Sequence, residues 1–426
     1  MTTPRIDVIV IGAGVTGLSV ARRCYERGRS VLVLDRRPTV GGVLQSVSVA
    51  GETLNQTAQS FAVDDALRDI LRNWNCLPAI TPAPREAQRR EIVLGGRLRS
   101  ASSPLHMLIN GLLSPTSLLR FLRRRSRPLP PAPVSIANIV RHVADENVLH
   151  TLVQPIVRGI WSGDSEQLSF DDCFPTVASR WRTTGSPFNS SAGRREVYVP
   201  TISMAHVMES LQGPLADSTM VQCDVRSLSS DSTGWTVTTS HGTFHSAAVC
   251  LAADVMSTAN LLADLAPTTS EALRTMPRSG VVVTHVRVPT AIIGKHLRGF
   301  GALWADTSVI RGVVNLEALR TSNTTAHRCA TWAVFHEAVT DLNVVFDELR
   351  RTMKIRDVAG DITVLHSSDW TTAIPQYDCS HQQRMAFINS VESSLPSIRI
   401  VGSFRDGVGI SDRIMAGSRA ADTLLV

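Results

Sequence analysis

Ile6-Asp7-Val8-Ile9-Val10-Ile11-Gly12-Ala13-Gly14-Val15-Thr16-Gly17 opens this 426-residue chain, and a second apolar run ends in Leu34-Asp35. The pattern predicts a strand, a glycine turn, a helix over 15–27 and a second strand over 30–34. Each glycine has a reason: Gly12 permits the turn, Gly14 with Ala13 lets a pyrophosphate approach the backbone, and Gly17 lets helix and strand pack closely. Phosphates would then meet unpaired N–H groups at a helix N-terminus. Asp35, eighteen residues after Gly17 and followed by Arg36, stands where a carboxylate can accept hydrogen bonds from ribose hydroxyls. A dinucleotide is the ligand these residues call for.

At 43% hydrophobic and 19% charged residues the composition is that of a globular protein, and the length suffices for two or three domains. The net charge of +6 is carried by arginine, since Lys295 and Lys354 are the only lysines. Guanidinium groups fork carboxylates and phosphates, so the charge fits anionic ligands or lipid headgroups, and a compositional habit of the genome fits it as well. The seven cysteines are scattered without a C-x-x-C, which argues against a disulfide framework and a zinc site, and no metal is expected. A first strand so near the start leaves no room for a signal peptide, and no run of eighteen apolar residues appears. Cytoplasmic residence is therefore expected.

From residue 104 the character changes. Leu105, Met107, Leu108, Ile109, Leu112, Leu113, Leu118, Leu119, Phe121 and Leu122 precede Arg123-Arg124-Arg125-Ser126-Arg127 and a proline cluster. An apolar face with a basic flank suits an interfacial helix on the cytoplasmic face of a membrane; a helix buried in a helical subdomain gives the same pattern. Nucleic acid is not expected, because no aromatic platforms accompany the arginines. Residues 135–153 read as helical. Strands are expected over 220–227, 235–240, 243–251, 280–288, 300–314 and 329–336, with a helix over 341–352. His241 and His245 fall in such a β-rich stretch, at surface or edge positions. The end repeats the opening logic, with a strand over 398–402, the turn Asp406-Gly407-Val408-Gly409 and a helix over 411–425. A helix N-terminus after that turn would present N–H groups to the electron-rich edge of a flavin.

The expected fold is α/β: a discontinuous Rossmann-like FAD-binding domain (1–88, 196–284 and 373–426), a mixed-sheet substrate domain (89–103 and 285–372) and a helical insertion (104–195), the candidate for membrane contact. With those segments placed, the chain resembles the protoporphyrinogen oxidases of the amine-oxidase-like FAD superfamily. The likeness rests on Val10 to Leu18 with Gly41-Gly42, on Gly159-Ile160-Trp161-Ser162-Gly163-Asp164 with Leu168-Ser169 and Phe174-Pro175, and on Gly299-Phe300-Gly301-Ala302-Leu303. It extends through Ala373-Ile374-Pro375-Gln376-Tyr377 with His381, and the closing segment from Gly402 to Gly417.

The resemblance implies that Gly41, Gly42, Gly402, Gly407 and Gly409 belong to the FAD site, that the Val225 backbone contacts the adenine and that Val408 faces the flavin pyrimidine. It further implies that Arg90 pairs with a substrate propionate and that Phe300, Leu303 and Val314 hold the tetrapyrrole rings. The implied reaction is the six-electron oxidation of protoporphyrinogen IX to protoporphyrin IX, with molecular oxygen as acceptor and peroxide as product. Little is then asked of a protein base, in keeping with a sequence that offers no Ser-His-Asp arrangement and no carboxylate pair.

The chain also departs from the family pattern. Val43-Leu44-Gln45 follows Gly-Gly where the family has an arginine, Asn55 to Ser60 replaces an acidic, glycine-containing segment, and Thr201-Ile202-Ser203-Met204 stands in place of a Gly-Met pair. Three rival readings follow: coproporphyrinogen III oxidation, on a macrocycle with four carboxylates rather than two; an amine oxidase or carotenoid-type desaturase; and a non-catalytic FAD-binding protein of the membrane surface. With three tyrosines and two lysines, the sequence offers little of the aromatic cage and lysine that amine oxidases of the superfamily set beside the flavin. Whether the protein is a homodimer stays open.

Overall fold

A computed structural model describes residues 6–187, 195–320, 328–339, 341–358, 360–395 and 397–424. Leu425, expected to end the last helix, and the parts of the expected domain ranges at 1–5, 188–194 and 321–327 lie outside the described residues.

The strand Ile6–Ile11 lies between Val31–Leu34 and Gly242–Leu251, parallel to both, with Val10 opposite Val33 on one side and Cys250 on the other. Val8, Ile9 and Val10 are buried on both faces, which is why the run is continuously apolar rather than alternating. Thr219–Met220 extends this sheet at one edge. Ile398–Ile400 joins Gly242–Leu251 in parallel, and the antiparallel strands Gly234–Thr239 and Val225–Asp231 complete the other side. The helices Val15–Glu26 and Ile410–Leu424 pack together against this sheet. Their closeness depends on Gly417, where a Cβ would stand 2.6 Å from the Thr16 carbonyl oxygen.

A second seven-stranded sheet runs in the order Thr363–Pro375, Arg278–Pro289, Cys329–His336, Ile310–Asn315, Gly301–Trp304, Arg90–Leu94 and Arg97–Ser100. Its one parallel pair joins Gly301–Trp304 to Arg90–Leu94, so a strand from early in the chain sits beside strands that follow two hundred residues later. Val286, Val288, Trp304, Trp332 and Val334 form its core with Val345, Leu349 and Met353 of the helix Asn343–Met353. A small sheet of Phe61–Val63, Glu196–Pro200 and Ile80–Pro82 lies apart from both.

The helical region differs from expectation. Residues 135–153 are not one helix: Ile136–Val143 ends at Ala144 (φ −132°, ψ −124°), and Leu149–Val153 is wound as a π-turn that continues into Gln154–Trp161. The apolar stretch after residue 104 forms two short helices, Pro104–Ile109 and Pro115–Arg124. Leu105, Ile109, Leu119 and Leu122 are exposed, whereas Leu112 and Leu113 are buried. Among the described residues no helix is long and apolar enough to cross a membrane. The strand expected over 220–227 is two pieces, separated where Gln222 takes φ +54°.

Candidate active site

A cavity of about 1540 Å³ opens between the two sheets and is continuous from the first glycine turn to the Gly301–Trp304 strand. Drug-sized ligands occupy cavities of roughly 300–1,000 Å³, so this one has room for more than one small molecule. Its lining contains Gly12, Gly14, Asp35, Arg36, Gly41, Gly42, Val225, Gly402 and Val408 toward one side. Arg90, Phe300, Leu303 and Val314 lie toward the other.

At the nucleotide end the backbone is bare. Gly14 caps the helix Val15–Glu26 with no side-chain hydrogen bond, and a Cβ there would meet nothing within 4 Å. The first N–H groups of that helix therefore have no side chain over them, the arrangement that receives phosphate. Gly12 takes φ +110°, and Gly41 and Gly42 take φ +103° and +61°, bringing Gly42 against Gly14. Asp35 accepts from the Ala13 N–H through Oδ2 (2.6 Å) and from the Arg37 N–H through Oδ1 (2.8 Å). A carboxylate offers about four lone-pair sites, so it retains acceptors for ribose hydroxyls. These groups fit the adenosine diphosphate half of FAD.

Four of the expected residues do not line the cavity. Ala13 spends its N–H on Asp35. Gly17 supports the turn from behind, since a Cβ there would fall 1.9 Å from the Gly12 carbonyl oxygen. Gly407 (φ +97°) donates its N–H to the Tyr377 hydroxyl, and Gly407 and Gly409 shape a turn of which only Val408 reaches the cavity. Arg36 pairs with Asp254 at the cavity rim.

At the other end the Arg90 guanidinium lies 4.0 Å from the centre of the Phe300 ring and donates to the Ala87 and Arg89 carbonyls. Burial pushes its pKa down, and among the described residues it makes no ion pair, so no carboxylate balances its charge. Leu303 and Val314 sit on neighbouring antiparallel strands, with Gly301 opposite Val314 and Leu303 opposite Gly312.

Several cavity residues escaped the sequence reading. Arg37 donates to the Gly42 carbonyl at 2.5 Å and lies over the Trp370 ring. Arg413, at the start of the last helix, has its pKa lowered to about 10 by burial, opposed by Tyr377 and Asp412. Arg158 and Arg311 line the cavity on its Phe300 and Leu303 side. The position of Arg158, directly before Gly159 in a quoted motif, was the signal available for it. No cluster of metal-ligating side chains occurs among the described residues, and His241 and His245 are exposed.

Residues 10–74 match the family model of an NAD(P)-binding Rossmann-like domain. Protoporphyrinogen oxidase 2, chloroplastic/mitochondrial, of Arabidopsis thaliana is 22% identical, covering 98% of this chain and 93% of its own length. The coproporphyrinogen III oxidase of Bacillus subtilis is also 22% identical, over 100% and 99%. Among solved structures, one from Exiguobacterium sp. 255-15, named as a candidate protoporphyrinogen oxidase, superposes with a TM-score of 0.77 at 15% identity over 100% of this chain and 99% of that one. Putrescine oxidase bound to putrescine superposes at 0.72, with 16% identity and 99% of both chains covered. The resemblance read from the motifs thus extends along nearly the whole chain, and the Rossmann-like fold is the one expected.

Proposed function

We propose that this chain, an FAD-dependent oxidoreductase, oxidises a porphyrinogen to the corresponding porphyrin. The observation that carries the reading is one continuous cavity with a phosphate-receiving glycine turn at one end and the Arg90, Phe300, Leu303 and Val314 group at the other. Relatives bearing the names protoporphyrinogen oxidase and coproporphyrinogen III oxidase support it. Bound flavin supplies the hydride acceptor.

The chain's own residues bind and orient. Gly12, Gly14, Gly41 and Gly42 leave the backbone open to the pyrophosphate, Asp35 takes the ribose, and Val225 lies where the adenine would rest. Gly402 and the Gly407 to Gly409 turn hold Val408 toward the cavity. On the substrate side, Phe300, Leu303 and Val314 provide an apolar surface for a flat macrocycle. Arg90, braced against Phe300, takes a propionate carboxylate. Pyrroles beside the reacting bridge carbon delocalise its developing charge, so no side chain need act as a base, and fixing the macrocycle is the protein's contribution. The described lining contains no tyrosine and no lysine, which tells against the amine-oxidase reading.

Molecular oxygen is the proposed acceptor. A peripheral membrane contact through the exposed Leu105, Ile109, Leu119 and Leu122 beside Arg123 to Arg125 is also proposed, since apolar side chains facing solvent next to a basic run suit an anionic lipid surface.

The test is to purify the protein, record flavin absorbance, and follow porphyrin fluorescence in air with protoporphyrinogen IX and coproporphyrinogen III side by side. Growth of fluorescence with either supports the reading. Flavin absorbance without porphyrin from either would overturn it. Arg90→Ala is expected to raise KM by about tenfold or more with kcat little changed, because a charge-assisted hydrogen bond is worth roughly 1.5–3 kcal/mol and this one lies away from the reacting carbon.

A further inference from the structure

Arg158 and Arg311 come from different layers of the fold, the helix Gln154–Trp161 and the strand Ile310–Asn315, and both reach the same cavity. Their Nη2 atoms converge on one oxygen of Glu337, at 3.3 Å and 3.5 Å. Two guanidinium groups share one carboxylate, which leaves an excess positive charge. The arginine side chains are only 19% and 13% exposed, whereas Glu337 is 45% exposed and does not line the cavity. Arg311 Nε is buried without a hydrogen-bond partner, an expensive state for a cationic donor.

The backbone explains why Arg311 reaches the cavity. Ile310 pairs with His336 and Gly312 with Phe335, so Arg311 is the extra residue of a β-bulge, a device that re-aims a side chain. Leu303 fixes the place of the pair. A Cβ at Gly159 would stand 2.6 Å from Leu303 Cδ2, and one at Gly312 3.1 Å from the same atom. The neighbours of Arg158 and Arg311 in the sequence therefore bracket Leu303, while Arg90 is stacked on Phe300, three residues earlier.

We propose that Arg158 and Arg311 form a second carboxylate-binding station, across the Phe300 to Leu303 apolar strip from Arg90, and that they select a macrocycle with carboxylates on both sides. This rests on the porphyrinogen reading and deepens it. Of the two candidate substrates, the four-carboxylate coproporphyrinogen presents an anion to each station. The unpaired Arg311 donor and the shared Glu337 are then the features of a site that gains its second carboxylate from the ligand.

The experiment is a fluorescence titration of flavin-loaded protein with the stable products, coproporphyrin III and protoporphyrin IX, which needs no turnover. Wild-type protein is expected to bind coproporphyrin more tightly. Arg158→Gln and Arg311→Gln are each expected to weaken coproporphyrin binding by about tenfold while changing protoporphyrin binding by less than about twofold. Glu337→Gln releases both guanidinium groups and is expected to tighten coproporphyrin binding several-fold, a gain that misfolding does not produce. Unchanged coproporphyrin affinity in both arginine variants, or equal affinities of the wild type for the two porphyrins, would overturn the station while leaving porphyrinogen oxidation standing. Wild-type protein that binds neither porphyrin and oxidises neither porphyrinogen would remove the parent reading and the station together.

Discussion

Single residues of this chain are constrained mainly by what stands next to their backbone. Gly17 has no room for a methyl group, because its Cβ would fall 1.9 Å from the Gly12 carbonyl oxygen. Gly17→Ala must push the first helix off the turn, and it is expected to destabilise the protein by roughly 1–3 kcal/mol and to yield protein with little bound flavin. Thermal melts and the flavin-to-protein absorbance ratio check both. His285 is constrained by charge instead. It is fully buried between strands, and burial, reinforced by nearby His366 and opposed by the backbone of Asn55, lowers its pKa from 6.5 to about 4. As pH falls, the unfolded chain takes up this proton near 6.5 while the native state resists until about 4, so stability is full above pH 6.5 and is lost going down through that window. His381, buried against Tyr377 and also lowered to about 4, adds in the same direction. Melting temperature should therefore drop between pH 6.5 and 4, and His285→Leu should lessen the slope; identical pH profiles for variant and wild type would count against it.

Among the elements, the two short helices Pro104–Ile109 and Pro115–Arg124 carry the clearest prediction. If their exposed apolar side chains rest on lipid, reversing Arg123, Arg124 and Arg125 to glutamate should abolish most co-sedimentation with anionic liposomes, since each basic residue near such a surface contributes about 1 kcal/mol. Unchanged sedimentation would dismiss the contact. Legibility at this scale follows from the strength of local pattern. The opening strand, turn and helix could be read because glycine spacing and a doubly buried strand act together over thirty residues. The strand Thr363–Pro375 could not, because His366-Ser367-Ser368-Asp369 interrupts any alternation and only Ser368 and Pro375 are buried in it. The helix His381–Ser394 is similarly mute, with His381, Ile388 and Val391 its only buried residues. Arg311 was hidden for another reason: a bulge depends on the partner strand, which sequence spacing does not report. Most residues expected around the cofactor do line the cavity, whereas Ala13, Gly17, Gly407 and Gly409 act through the shape of the turns.

For the molecule as a whole, the cavity is a joint product of distant segments. Gln376 donates to the Trp161 carbonyl, Ser279 to that of Ser162, and the Ser169 N–H to that of Tyr377, so segments more than a hundred residues apart meet behind the site. A ligand that fills the space between the sheets should stabilise all of them at once. Removing flavin is expected to lower the melting temperature by several degrees, and adding FAD at about one hundred times its dissociation constant to restore roughly 2.7 kcal/mol. A melt indifferent to FAD would contradict the assignment of the glycine turn.

The packing of Gly417 on Thr16 also bears on the order of assembly. Strand Ile6–Ile11 acquires its partner Gly242–Leu251 only after more than two hundred further residues have been made, and helix Val15–Glu26 is covered by helix Ile410–Leu424, which follows it by almost four hundred residues. Contacts of such sequence separation form late and slowly. The nascent chain thus displays its phosphate-binding turn long before the segments that complete it exist, so cofactor loading waits for those distant segments, and newly made apoprotein then depends on the supply of free flavin.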